Sequence, residues 1–209
     1  MASVISPPVT VIDEISLRLV TLADAEALRQ AYLRNREHLL PWDPDRDEYF
    51  YTLDGQADRV RGLLVQQDSG RALPWVFADG DRIVGTMTLS NIVLGPFRSA
   101  SLGYWIDADY SGRGLATRGV EFVCRTADEH LGLHRIEAST LIDNVRSQRV
   151  LTACGFRLIG TAPDYLHING AWRENRLFQR ILNERGPGDV PRRPTVSVNG
   201  AVSPDLSEG

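Results

Sequence analysis

The stretch that most limits what this chain can become is Tyr110-Ser111-Gly112-Arg113-Gly114-Leu115-Ala116-Thr117. An apolar strand pattern, Ser101 to Ile106, ends just before it, and Ala116, Val120, Val123, Ala127 and Leu131 recur at helical spacing after it. Small residues at 112, 114 and 116 let backbone approach a ligand closely. The amides of a helix's first turn then face outward at the positive end of its dipole, which suits phosphate oxygens. A strand-to-helix turn that holds no ligand satisfies the same pattern. Dinucleotide binding of the Rossmann kind is a poor fit: no full G-x-G-x-x-G is present, and three strand and two helix signals precede the strand that leads into the turn.

Those earlier signals are clear. Ser16 to Val20 alternate as a strand, and Thr21 with Asp24 opens a helix carrying Ala25, Leu28 and Tyr32 on one face. Ala57, Val60, Leu63 and Leu64 mark a second helix beyond the Pro/Asp-rich loop 41–47. Pro74 to Ala78 and Ile83 to Asn91 read as a hairpin around Asp79-Gly80-Asp81. After the long helix come a strand at Arg135 to Leu141, a short helix at Ser147 to Cys154 closed by Gly155, and strands at Phe156 to Thr161 and Arg173 to Leu182. The order is mixed α/β (α+β), with antiparallel stretches and one strand-helix-strand crossover.

Composition then removes whole classes of chemistry. All 23 basic residues are arginine. Without lysine there is no phosphate-loop nucleotide hydrolase, no Schiff-base or pyridoxal enzyme, and no protein kinase. The chain has 209 residues, 43% hydrophobic and 24% charged, which predicts one globular domain over 15–183. Residues 1–14 are expected to be flexible, and the Pro/Gly/Ser-rich 184–209 to be a disordered tail. A net charge of -4 argues against direct nucleic-acid binding. There is no apolar run of about 18 residues and no signal-peptide core, so no membrane span is expected. Cys124 and Cys154 form no C-x-x-C motif, which fits a reduced, cytoplasmic protein with inert, inward-facing thiols. His130 and His134 have metal-compatible spacing but no third ligand nearby, so no metal is expected.

The segment Leu102 to Thr117 resembles the acetyl-coenzyme A signature of the GNAT N-acetyltransferase superfamily. In that signature a strand is followed by Q/R-x-x-G-x-G/A opening a helix. About thirty residues on, Asn144-Val145-Arg146-Ser147 with Cys154-Gly155-Phe156 is similar to the family's second marker, an N-x-x-S helix ending in G-F. Leu39 to Pro44 and Tyr165 to Arg173 resemble the RimJ/RimL-type branch, whose members acetylate ribosomal-protein N-termini. Ser111 departs from the usual Gln or Arg, removing one side-chain contact to the phosphates, and Glu174-Asn175 departs from the branch's Asp-His. The resemblance implies a GNAT fold, with a mixed sheet of about six or seven strands and about four helices on both faces.

It also implies roles. Acetyl-CoA is the co-substrate, held by Tyr104, Trp105 and Ile106 on the strand, by Gly112, Arg113, Gly114, Leu115, Ala116 and Thr117 on the turn, and by Asn144. The amine attacks the thioester directly. Ser147 is placed to protonate the leaving thiolate, and backbone donors near Ile106 polarise the carbonyl. For the base, Glu137 shares a strand face with Ser139 and could act through water; its alternative is an ion pair with an arginine. Asn144 could instead cap a helix, and Ser147 satisfy first-turn amides. Trp42, Tyr165, His167 and Trp172 either line the acceptor pocket or pack loops over the core.

An α-amine of pKa ~7.8 is roughly one-seventh neutral at pH 7, against about 0.04% for a lysine near 10.4. A site without an obvious buried base is therefore easier to credit on N-terminal α-amines, here of a ribosomal or other protein. Two alternatives are carried: a small-molecule amine, favoured by a closed acidic cavity, and a non-catalytic acyl-CoA sensor. A homodimer is left open.

Overall fold

A computed structural model describes residues 8–187 and residue 189. Its sheet has eight strands in the order β1-β2-β3-β4-β5-β6-β8-β7. These are β1 (Val9–Ile12), β2 (Ile15–Leu19), β3 (Leu73–Asp79), β4 (Arg82–Val93), β5 (Ser99–Ile106), β6 (Arg135–Leu141), β7 (Arg157–Ile168) and β8 (Ala171–Ile181). The helices are α1 (Ala25–Arg34), the single turn α2 (Arg36–Leu39), α3 (Leu53–Asp68), α4 (Leu115–Glu129) and α5 (Val145–Ala153). The count is therefore slightly above the six or seven strands and four helices expected. No helix among the described residues is long and apolar enough to cross a membrane.

The extra strand lies in the N-terminal stretch expected to be flexible. Val9–Ile12 pairs antiparallel with β2 across a tight turn in which Asp13 takes a positive φ. Val11 is buried in the core, which fixes the edge. At the other end, Asn183 Nδ2 donates to Leu133 O and to Asp128 Oδ1, both at 2.8 Å. Arg185 also pairs with Asp128, so the first residues of the expected tail are tied to the end of α4. Residues 1–7, 188 and 190–209 lie outside the described residues.

β3 shows why both faces are covered. Its residues from Leu73 to Ala78 are all buried, as in a strand with a layer on each side. Trp75 and Phe77 pack into the core beneath α4 and α5, while Val76 faces the second core with Leu28, Ala31, Tyr32 and Val60 of α1 and α3. Gly119 allows α4 to sit close, since a Cβ there would lie 2.5 Å from the Phe77 ring.

The feature that makes a site is a failure of pairing. Among the described residues β5 and β6 are the one parallel neighbouring pair, and they pair only at Ser99–Ser101 with Arg135–Glu137. Beyond that point β5 stays with β4 as far as Ile106, and β6 stays with β8 as far as Leu141. The sheet splits between them.

Candidate active site

The split opens into a cleft of about 1060 Å³ lined by Leu102 to Ile106 of β5, Ala138 to Leu141 of β6, the glycine turn, the start of α5, and α2 with the loop after it. The Asp107 amide donates to Val84 on β4. By alternation, the backbone groups of Tyr104 and Ile106 point the other way, into the split, where β6 no longer pairs with them. A guest with amide groups can take up that unpaired edge.

The turn is held from beneath. Asp107, 1% exposed, accepts from Arg34 Nε at 2.8 Å, from Arg82 at 3.3 Å and from the Asp109 amide at 3.1 Å. Burial pushes its carboxyl up, but the hydrogen bonds from Asn35 and Arg34 outweigh that and hold it below the usual carboxylate range. Asn35 Oδ1 accepts from the Ala108 amide at 2.9 Å, and Ser111 Oγ donates to Asp107 O at 3.3 Å. On this platform Gly112 and Gly114 take φ of +80° and +84°, conformations that favour glycine. Gly114 is the N-cap of α4, no side chain caps that end, and no acid lies in its first turn. Nothing lies within 4 Å of where a Gly112 Cβ would be. Open space, uncapped amides and a positive dipole end fit the pyrophosphate of the acyl-coenzyme A that the motifs imply.

Ser147 stands in the first turn of α5 on the same cleft. Its amide donates to Asn144 Oδ1 at 3.1 Å, so Asn144 is a helix N-cap that also lines the cleft. The Tyr104 hydroxyl lies 3.0 Å from Ser147 Oγ. Burial pushes the Tyr104 phenol up to about 12, against the opposing pull of the Ser147 hydrogen bond, so it stays protonated. The sequence points to the Tyr104 backbone; the role of the hydroxyl emerges only from the fold.

Several expected site residues sit elsewhere. Glu137 lies outside the cleft lining and is held by Arg135 at 2.9 Å, the ion pair that was the alternative. The Trp105 indole borders the cleft, but from the α1 face, where it donates to the Tyr32 hydroxyl at 3.0 Å. Arg113 faces a second groove beside β1, stacking on Tyr110 at 4.8 Å. The Leu115 side chain is buried in the core, which leaves its amide for a ligand. Of the four acceptor residues, Trp42 lines the cleft, while Tyr165, His167 and Trp172 do not. His167 instead lies 3.4 Å from Asp45, whose carboxylate also accepts from the Gly170 amide, tying the β7–β8 turn to the loop 41–47. Trp172 packs edge-on to His167 and is 62% exposed.

Other residues supply what those do not. Leu166 and Ile168 line the cleft instead, since β7 runs on to Ile168. Glu37, Asp43 and Asp143 bring carboxylates to the rim. Burial raises Asp43 above the ordinary range, against the pull of Arg46 and Arg59. Cys124 and Cys154 are buried and their thiols are pushed up to about 11, so neither is a nucleophile near neutral pH.

Residues 14–157 match the family model described as an acetyltransferase (GNAT) domain. The ribosomal protein uS5-alanine N-acetyltransferase of Escherichia coli (strain K12) is 34% identical over 178 residues, spanning 84% of this chain and 92% of that protein. Among solved structures, the ribosomal-protein-S5-alanine acetyltransferase of Vibrio fischeri superposes with a TM-score of 0.82 at 33% identity, covering 86% of this chain and 98% of that one. RimJ of Mycobacterium smegmatis, in complex with CoA-disulfide, gives 0.77 at 33% identity, covering 80% and 81%.

Proposed function

The chain belongs to the acetyltransferase (GNAT) family, and on that premise we propose that the amine it acetylates is the N-terminal α-amine of a protein, in the first place a ribosomal protein. It is an N-acetyltransferase that uses acetyl-CoA. The observation that carries the acceptor reading is the wall opposite α5. There Trp42, Leu166 and Ile168 form an apolar trough between the loop 41–47 and the β7–β8 hairpin, joined by Asp45. An extended peptide end suits such a trough. The relatives' action on ribosomal-protein alanine supports the same choice.

Acetyl-CoA brings an activated acetyl thioester; the chain supplies position and protons. The amides of residues 112–117 hold phosphate, and the free edge of Tyr104 to Ile106 aligns the arm and offers N–H to the carbonyl oxygen. The Tyr104 hydroxyl, hydrogen-bonded to Ser147 Oγ and within reach of the Ser147 carbonyl, holds the serine hydroxyl at the cleft, where its proton serves the departing sulfur. Asp43 lines the cleft, as Glu137 does not, and although Arg46 lies 3.6 Å away burial raises its carboxyl, so it stands in Glu137's place as the carboxylate that takes up the amine proton.

The carboxylates Glu37, Asp43 and Asp143 favour a second reading, a small cationic amine. Incubation with acetyl-CoA and total ribosomal protein, read by intact-mass spectrometry beside a small-amine panel, separates the two. One ribosomal protein gaining one N-terminal acetyl supports the first reading. Turnover of small amines alone overturns it.

A further inference from the structure

Asn175 has no evident purpose in the fold. It is 2% exposed, its Oδ1 is sealed from solvent, and that oxygen has no hydrogen-bond partner among the described residues. A buried, unpaired amide group is destabilising, so folds seldom keep one without use.

Its place in the sheet says which side it serves. Asn175 lies opposite Leu141, the last residue of β6, at the open end of the split. Its neighbour Arg176 lies opposite Thr140 and donates to Gln148 Oε1 on α5 at 2.7 Å. Successive strand residues point to opposite faces, so Asn175 points away from α5, toward the side carrying the Trp105 indole. It lines the cleft there with Trp42, Leu166 and Ile168. It is thus a neutral carboxamide set among apolar walls, away from the phosphate-binding turn. Rotation about its Cβ–Cγ bond exchanges oxygen and nitrogen, so the oxygen can be presented to a donor in the cleft.

We propose that Asn175 positions the attacking amine, its Oδ1 accepting one N–H so that the nitrogen lone pair faces the thioester. This rests on the N-acetyltransferase reading but holds for a peptide or a small amine alike. A neutral acceptor is the right group here because it orients an uncharged amine, whereas a carboxylate at that point would favour the unreactive ammonium.

Wild-type, Asn175→Leu and Asn175→Asp proteins are compared on an alanine-leading peptide and on the small-amine panel, with thiol release as the readout. For whichever amine the wild type turns over, Asn175→Leu is expected to lower kcat/KM by about 30-fold or more, in the range of a lost positioning contact. Its melting temperature holds and its CoA affinity stays within about twofold. Asn175→Asp moves the acid limb of kcat upward by about one pH unit, because it raises the bound amine's pKa. The proposal is overturned if kcat/KM stays within threefold, if CoA affinity falls in parallel, or if Asn175→Leu melts early and the Asn175→Asp profile does not move. Turnover of small amines alone, with the Asn175→Leu loss intact, removes the N-terminal reading and leaves this proposal standing.

Discussion

The Tyr104 hydroxyl on β5 and Ser147 Oγ at the start of α5 are 3.0 Å apart, bridging the two elements that flank the split. A phenol pushed up to about 12 keeps its proton, so the contact is a hydrogen bond between two neutral hydroxyls. Two side chains from distant parts of the sequence thus serve as one unit at the place where a sulfur must leave.

Ser147→Ala is expected to lower kcat about 100-fold, the low end for a general acid, with little change in the KM for acetyl-CoA. Tyr104→Phe should cost about tenfold, and the double variant should be no slower than Ser147→Ala, because the pair acts through one proton. Steady-state thiol release checks all three. The protonated phenol persists below about 12, so kcat should stay level through pH 10.

Asp107→Ala should lower stability by about 3 kcal/mol and the melting temperature by about 5–10 °C, because it strands Arg34 and Arg82 around a buried site. The Asp107 carboxyl lies below its ordinary value in the fold. Its contribution is therefore full above the unfolded pKa of about 3.9 and is lost as pH falls through the lower folded value. Melting curves of wild type and variant should converge as the pH drops below about 4.

Gly114→Ala should weaken CoA binding about tenfold by calorimetry. At φ +84° an L side chain costs about 1–2 kcal/mol, and relief of that strain moves the first amides of α4. Far-ultraviolet circular dichroism should be unchanged.

Asp43→Asn should reduce kcat/KM for the amine about 100-fold while CoA affinity is kept. The wild-type profile should fall first through the amine's pKa and then more steeply below the carboxyl's raised value; the variant should show the amine's fall alone.

Much of this is legible in local pattern. The glycine turn, the capping pair Thr21 and Asp24 at the entry to α1, and Gly155 closing α5 each rest on residues a few positions apart, and each appears in the fold. The Asn169-Gly170 turn between β7 and β8 is equally readable, since both residues take positive φ as a two-residue hairpin requires. Reading the segment as a pocket loop hides it.

What stays hidden depends on partners far along the chain or on where a strand stops pairing. Arg34 and Asp107 are 73 residues apart. The period of two places Glu137 on a face with Ser139, but it puts Arg135 on that same face as well, and the nearer charge claims it. In the sequence Asn175 is only a departure from the branch pattern. Its isolation shows when β8 is laid against β6, with its neighbour Arg176 turned to α5.

Within the sheet, three backbone pairs between Ser99–Ser101 and Arg135–Glu137 are the whole fastening between β1–β5 and the trio β6, β8 and β7. The sheet is in effect two slabs sharing a short seam, with one hydrophobic core packed across both. A guest laid along the open part of that seam extends the stitching, so the rigidity of the loaded protein belongs jointly to chain and guest, and each slab gains from whatever grips the other.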